Sequence, residues 1–390
     1  MSGHSTYMQF WRRAAAAAMI LASVLATTDG LLGLYLHTVH ARANPPRRMF
    51  AGMDNLQQHP EYIWAYIPGS RAIMSGEGLT LDAHINQDGL RDEPGRPTGR
   101  YFLALGDSFT FGWLVKLQDT WHKQLAKYLS EDQDQPIASV NLGMWMSTFS
   151  QHYLRLREML DRYPRPEFVV HLVYPSHVQT IAAHALDYDA TGDPVRARSL
   201  LLHIKDRGMY YGADKDSLLD REVSWPYSLW LLRRRTSLKK FTDLYARTVG
   251  VIERLDDLNL YSGDHADVFT TAWEMTERSL GATARLLRRN GIPYIVAIVP
   301  RDLQVARPEW NNRPVDRRIF ESTRPQDKFL AICRANGILC VNLLPHFRVA
   351  ASSPDRLYFL TDPHWTPAGH EVAGRTLAHF IENRLFSRVQ

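Results

Sequence analysis

The sequence predicts an α/β protein: a three-layer α/β/α domain around a five-stranded, parallel, doubly wound sheet, with an N-terminal hydrophobic helix in front and a helical insert in the middle. Three observations lead there. Short apolar runs alternate with segments of helical period along most of residues 101–384. The runs are apolar at successive positions, as in strands covered on both faces. The composition is that of an ordinary globular chain, with 45% hydrophobic and 22% charged residues among 390.

Residues 14–28 are uncharged and mostly apolar, follow Arg12-Arg13 directly, and are continued by Leu31 to Leu36 after Asp29-Gly30. This fits a cleaved signal peptide with Ala26 as the small residue at the cleavage position. It fits equally an uncleaved anchor over about residues 14–36, since a transmembrane helix needs ~20 apolar residues, although Asp29 at the centre would cost about 2.5–3.5 kcal/mol. A buried helix of the domain itself is the third reading. Both leading readings export the remainder, so the expected location is the periplasm, free or membrane-anchored. The membrane is a partner only if the segment is retained. Residues 1–44 are accordingly read as signal or anchor plus linker, and 45–390 as the folded domain.

The elements of that domain follow in order. Residues 45–100 are rich in Gly, Pro, Asn and Asp and predict a lead-in of short strands and turns covering an edge of the core. Strands are predicted over 101–105, 138–142, 168–173, 294–299 and 338–342. Helices are predicted over about 120–129, 151–160, 272–289, 326–335 and 367–384. The alternation breaks over an insert of about 178–268. There the run Trp225-Pro-Tyr-Ser-Leu-Trp-Leu-Leu-Arg-Arg-Arg predicts a helix with an aromatic and leucine face and an arginine edge.

Parallel sheets place ligands at the carboxyl ends of their strands. At one such end stands Gly106-Asp107-Ser108-Phe109-Thr110-Phe111-Gly112, which aims Ser108 outward from a strand-to-helix turn. A serine hydroxyl is a poor nucleophile without a neighbouring base, which in turn needs a carboxylate to orient it. Near the other end of the chain, Thr361-Asp362-Pro363-His364-Trp365 supplies both, two residues apart, immediately before the last helix.

Together these motifs resemble the SGNH/GDSL hydrolase superfamily. Within it they resemble bacterial envelope proteins that carry an N-terminal hydrophobic segment and a lead-in like Asn86-Gln-Asp-Gly89-Leu-Arg91. The resemblance covers most of 80–180 and 290–380 and leaves the insert unmatched. It implies Ser108 as nucleophile, with Asp362 and His364 completing a triad. It also implies that the N–H of Gly143, in Val140-Asn141-Leu142-Gly143, joins that of Ser108 in an oxyanion hole. The family's further donor, an Asn after the third strand, is absent: the segment reads Tyr174-Pro175-Ser176-His177. By alignment Ser176 takes that place through its hydroxyl, with the His177 ring as the alternative.

The implied function is a serine esterase that forms an acyl-enzyme, acting on O-acyl groups of an envelope carbohydrate. Two alternatives stand beside it. One is an O-acyltransferase of the same chemistry, because the resemblance extends to alginate-type acetyltransferases ending in Asp-x-His-Trp. The other is a catalytically degenerate carbohydrate-binding or scaffold protein, because the Asn is missing.

The rest of the sequence narrows the partners. No phosphate-loop or dinucleotide fingerprint is present, so no cofactor is expected. The net charge of +5 is diffuse and gives no reason to invoke nucleic acid. Asp187-Tyr-Asp189-Ala-Thr191-Gly192-Asp193 starts like a calcium loop, but Arg198 stands where the bidentate Glu belongs, and a hairpin turn is expected instead. His177 and His184 are not expected to bind metal, and His370 is expected to be structural. Cys333 and Cys340 flank a helix-to-strand turn as a bridge or as two thiols.

Overall fold

The structure, a computed structural model, describes residues 23, 24, 27, 31, 47–48, 54–131, 135–181, 184–199, 202–205, 208–211, 258–263, 269–305 and 317–386. The chain divides into two units. The first takes in Met1–Met49, Leu200–His203 and Tyr210–Arg254; its described part includes Arg47–Arg48, paired antiparallel with Tyr211 and Tyr210. The second unit, Phe50–Ser199, Ile204–Met209 and Leu255–Gln390, holds the sheet and its helices.

Its sheet consists of β1 (Tyr101–Leu105), β2 (Ala138–Asn141), β3 (Val169–Val173), β4 (Tyr294–Ile298) and β5 (Leu339–Asn342). The order is β5-β4-β3-β1-β2, all parallel. Each strand coincides with a predicted apolar run to within a residue. The chain winds one way from β1 to β2 and the other way from β3 to β5, so the order reverses between β1 and β3. Crevices form at that reversal, beyond the carboxyl ends of the strands.

Alternate strand residues face opposite helix layers. Phe102, Ala104, Val170, Leu172, Ile295, Ala297 and Val341 pack with Trp121 and Leu125 of α2 (Trp121–Ser130) and with Ala373 and Leu377 of α6 (Pro367–Ile381). On the other face, His171 of β3 meets His152 of α3 (Phe149–Arg162), which packs on α4 (Thr270–Arg289). The helix starts are written locally. Thr148 and Gln151 form a capping box ahead of α3, while α6 begins with Thr366 as cap and Pro367 in its first turn. The remaining long helix, α5 (Arg324–Asn336), precedes β5. Cys333 on α5 and Cys340 on β5 are free thiols, the first buried.

The lead-in forms two hairpins, Leu56–His59 with Ile63–Tyr66 and Arg71–Gly76 with Leu79–His84. The insert, expected to be helical apart from a hairpin turn at 187–193, opens on strands. Its described start is a hairpin of His184–Tyr188 with Pro194–Ser199. Asp189 builds the turn, its Oδ1 accepting from the N–H of Thr191 at 2.8 Å and of Asp193 at 3.0 Å. That is the turn chemistry of a short acidic side chain bonding its own backbone. The helix expected at 225–235 lies outside the described residues. So does most of the apolar segment 14–36, of which Ser23, Val24, Thr27 and Leu31 are described, all helical. Among the described residues no helix is long and apolar enough to cross a membrane.

Candidate active site

Ser108 is the first residue of a short helix, α1 (Ser108–Phe111), that follows β1 after a two-residue turn. Gly106 in that turn has φ +152°, and a Cβ there would come within 2.3 Å of Thr110 Oγ1 and 3.1 Å of the Leu172 carbonyl oxygen. Only glycine lets the chain turn this sharply between β1 and β3. Asp107 caps α1, its Oδ1 accepting from the Phe109 N–H at 2.8 Å. The Ser108 hydroxyl is left facing outward at the carboxyl edge of the sheet, where the strand order reverses.

The loop carrying Asp362 and His364 is anchored by its neighbour Trp365, fully buried against Phe109 and Phe347. The His364 ring rests on Phe109, centroids 4.8 Å apart. Its Nε2 lies 2.6 Å from Ser108 Oγ. On the far side, Nδ1 hydrogen-bonds Asp362 Oδ1, which also accepts the His364 backbone N–H at 2.9 Å. The structure therefore brings Ser108, His364 and Asp362 into one hydrogen-bonded line. With Nδ1 donating to the carboxylate, Nε2 is left as the acceptor for the serine proton. Burial pushes the Asp362 carboxyl up. The hydrogen bonds and charge of His364, with the indole N–H of Trp113, outweigh that and hold it below its ordinary value.

Gly143 is placed otherwise than expected. Its N–H donates to Asn141 Oδ1 at 2.9 Å, so the donor assigned to an oxyanion hole is taken up within its own turn. Its lack of a side chain serves packing: a Cβ would lie 2.2 Å from the Phe111 nitrogen and 2.6 Å from the Thr110 carbonyl carbon. Ser176 is also engaged, its Oγ accepting from Arg301 Nη1 at 3.2 Å, beside the Tyr174 and Tyr261 rings. His177 lies closer to the serine turn. Its Nδ1 is 3.1 Å from Asp107 Oδ2 but off the line a hydrogen bond needs. Burial lowers the His177 pKa, with Asp107 opposing and His364 adding to the fall. Burial raises that of Asp107, against the pull of His177, the Phe109 N–H and His364.

Several contributors were not legible in the sequence. Trp113 Nε1–H donates to Asp362 Oδ2 at 3.2 Å and stacks on Trp145, centroids 5.3 Å apart. Arg91, the last residue of the lead-in motif, is buried. Its guanidinium donates to the carbonyls of Phe111 at 2.7 Å, Val115 at 2.6 Å, and Gly112, tying off the end of α1. Asp92 beside it accepts the Asn141 N–H at 2.7 Å. A signal existed for this pair, since charged residues closing a turn-rich lead-in need partners if they are buried.

Behind the site runs a buried chain from Ser147 Oγ to His152 (2.7 Å), His152 to His171 (2.8 Å) and His171 to the Tyr294 hydroxyl (2.7 Å). Ser147 donates to the Met144 carbonyl. Each remaining link then has one donor and one acceptor with both imidazoles neutral. Burial accordingly depresses both, His171 to about 3. His184 bonds Thr148 Oγ1 at 3.1 Å, and buried His370 accepts the Trp121 N–H at 3.0 Å. Among the described residues no group of three or more His, Cys, Asp or Glu could hold a metal ion.

The sequence pattern of one family, the SGNH hydrolase-like domain of the acetyltransferase AlgX, matches residues 263–390, a stretch that includes Asp362 and His364 but not Ser108. Over that stretch the chain is similar to SGNH hydrolase-like proteins. A search of curated proteins finds no match. Solved structures resemble the chain weakly. A putative lipolytic protein of the G-D-S-L family from Desulfitobacterium hafniense has 14% identity over 72% of this chain and 98% of its own, with a TM-score of 0.35. The esterase EstA from a Pseudoalteromonas species has 14% over 74% and 99%, with 0.37. The acetyl xylan esterase AlAXEase has 12% over 74% and 100%, with 0.36. Superpositions this loose carry nothing further.

Proposed function

We propose that this protein is an exported serine esterase of the SGNH type that cleaves O-acyl groups from an envelope carbohydrate through an acyl-enzyme. The observation that carries the reading is the line from Ser108 Oγ through His364 to Asp362. In this mechanism His364 Nε2 takes the Ser108 proton as the oxygen attacks the ester carbonyl. Asp362, kept ionised, stabilises the imidazolium that forms. The oxyanion is held by the Ser108 N–H, which as the first of α1 has no partner within the helix. The imidazolium then gives its proton to the departing carbohydrate alkoxide. Water, deprotonated by the same nitrogen, attacks the acyl-serine and releases the acid.

O-acyl transfer is the second reading, favoured by the acetyltransferase named in the matching family; a carbohydrate hydroxyl then replaces water in the last step. The degenerate reading fits poorly with a fully formed Ser108–His364 contact. Export rests on the apolar stretch behind Arg12-Arg13, and reporter fusions after Gln390 that are active on only one side of the membrane test it.

A serine-directed fluorophosphonate together with a short-chain p-nitrophenyl ester tests the chemistry. Labelling and turnover that both vanish in Ser108→Ala support it. A wild-type protein that does neither overturns it. Acceleration of acyl-enzyme breakdown by added carbohydrates selects transfer over hydrolysis.

A further inference from the structure

One hairpin of the lead-in touches both segments that carry the acyl-site residues. Arg71–Gly76 and Leu79–His84 are joined through Glu77 and Gly78, whose φ values are 54° and 74°. Glycine adopts that backbone freely and glutamate does so only against a steric penalty. The Glu77 side chain reaches the loop that leads into Asp362. Oε1 accepts the Thr361 N–H at 2.7 Å and the Thr361 hydroxyl, while Oε2 accepts the Leu360 N–H at 3.3 Å. On its other side the hairpin meets the turn after α1. A Cβ on Gly76 would fall 2.8 Å from Leu114 Cδ1, and Leu114 directly follows Trp113, whose indole holds Asp362.

We infer that Glu77 is a positioning residue of the acyl site: its carboxylate pins the Leu360–Thr361 backbone and thereby sets Asp362, and through it His364, against Ser108. The inference rests on the esterase reading and assigns the lead-in a part in it. Three acceptor contacts converge on the two residues immediately before Asp362, at the tip of a loop whose base is closed by the Phe359 N–H donating to the His364 carbonyl at 3.0 Å and by a bridge of Tyr358 with Trp365. A carboxylate suits that task because its hydrogen bonds to N–H and O–H groups are charge-assisted.

The test uses the full-length protein with Glu77→Ala, Glu77→Gln and Thr361→Val. Two quantities are read: kcat and KM for p-nitrophenyl acetate, and the low-field proton resonance of His364 Nδ1–H, assigned by its loss in His364→Gln. Glu77→Ala is expected to lower kcat at least tenfold with KM within twofold, and to broaden or abolish the low-field resonance through exchange with water. Glu77→Gln keeps an acceptor oxygen and should recover part of both. An Ala variant with wild-type kcat and resonance overturns the inference. So does a loss of rate that merely tracks the fraction unfolded. If Glu77→Ala fails to fold, Thr361→Val decides: a smaller fall in kcat with a shifted resonance supports the clasp, and no change overturns it. If the wild type neither turns over nor labels, the esterase reading falls, and the resonance alone still decides the role of Glu77.

Discussion

Trp113 holds Asp362 from the side opposite His364: its indole N–H donates to Oδ2 at 3.2 Å, while the histidine uses Oδ1. The carboxylate is thus fixed at both oxygens, which restricts its rotation and keeps Oδ1 aimed at the ring. Trp113→Phe retains an aromatic ring against Trp145 and removes only the donor. Kinetics on a p-nitrophenyl ester should show kcat reduced about three- to tenfold with KM little changed, since a single intramolecular hydrogen bond contributes about 0.5–1.5 kcal/mol net. An unchanged kcat would mean that His364 alone orients the carboxylate.

Gly143→Ala tests packing rather than chemistry. The new methyl would overlap the Phe111 nitrogen and the Thr110 carbonyl carbon. These are backbone atoms of α1 and cannot swing aside. Overpacking of this kind costs about 1–3 kcal/mol or more. We expect a clear drop in melting temperature together with loss of activity, because any relief of the clash moves the helix that starts at Ser108. A variant with wild-type stability would show that β2 and α1 separate more easily than their contact suggests.

Buried histidines make acid stability a second test. The pKa of His171 is lowered to about 3, His184 to about 4 and His370 to about 3, all through burial. In the unfolded chain they protonate near the ordinary value of about 6.5. Below that pH the unfolded state therefore binds more protons, and stability falls as pH falls, by about 1.4 kcal/mol per unit for each histidine. Asp107, raised by burial, works in the opposite direction over its own range. Urea midpoints between pH 7.5 and 5 should decline steeply from about pH 6.5, well above the carboxylate range. His370→Gln should flatten that slope by one histidine's share, about 1.4 kcal/mol per pH unit. A midpoint constant over this interval would argue that water reaches the three rings.

How much of this was written in the sequence depends on the distance over which each feature acts. Strand β1 with its serine turn, and the Asp362-Pro363-His364 loop ahead of α6, are local patterns, and they appear where they were expected. Trp113 and Glu77 act across 249 and 284 residues respectively. Nothing in Gly76-Glu77-Gly78 beyond a turn announces that the glutamate reaches another loop. Gly143 was recognised as a special position, but two reasons for a glycine, a free N–H and a close approach, look alike in sequence. Asn141, two residues earlier and able to take that N–H, was the clue that went unread. The hairpin turn expected at 187–193 is another local pattern, built on Asp189, whereas the strands flanking it carry no apolar run that would mark them in a segment read as helical.

The final prediction separates Ser176 from His177, between which the sequence could not choose a substitute for the missing Asn. The Ser176 oxygen is held by Arg301 and lies among tyrosines. An asparagine there would meet the same partners, and Ser176→Asn should leave ester hydrolysis within about threefold of wild type, since a preorganised oxyanion donor would instead be worth ~100-fold or more. His177 touches the Asp107 carboxylate that caps α1 and opposes the rise of its pKa, so His177→Ala removes that opposition. Desolvation then favours the neutral acid, which caps the Phe109 N–H less strongly and loosens the turn that presents Ser108. We expect kcat to fall about tenfold, with the fall shrinking towards high pH, where Asp107 is ionised in the variant as in the wild type. His177→Gln, which keeps a donor near Asp107, should recover part of the loss. A tenfold gain in Ser176→Asn would instead place residue 176 in the oxyanion hole. Wild-type rates in His177→Ala would reduce the Asp107–His177 contact to packing.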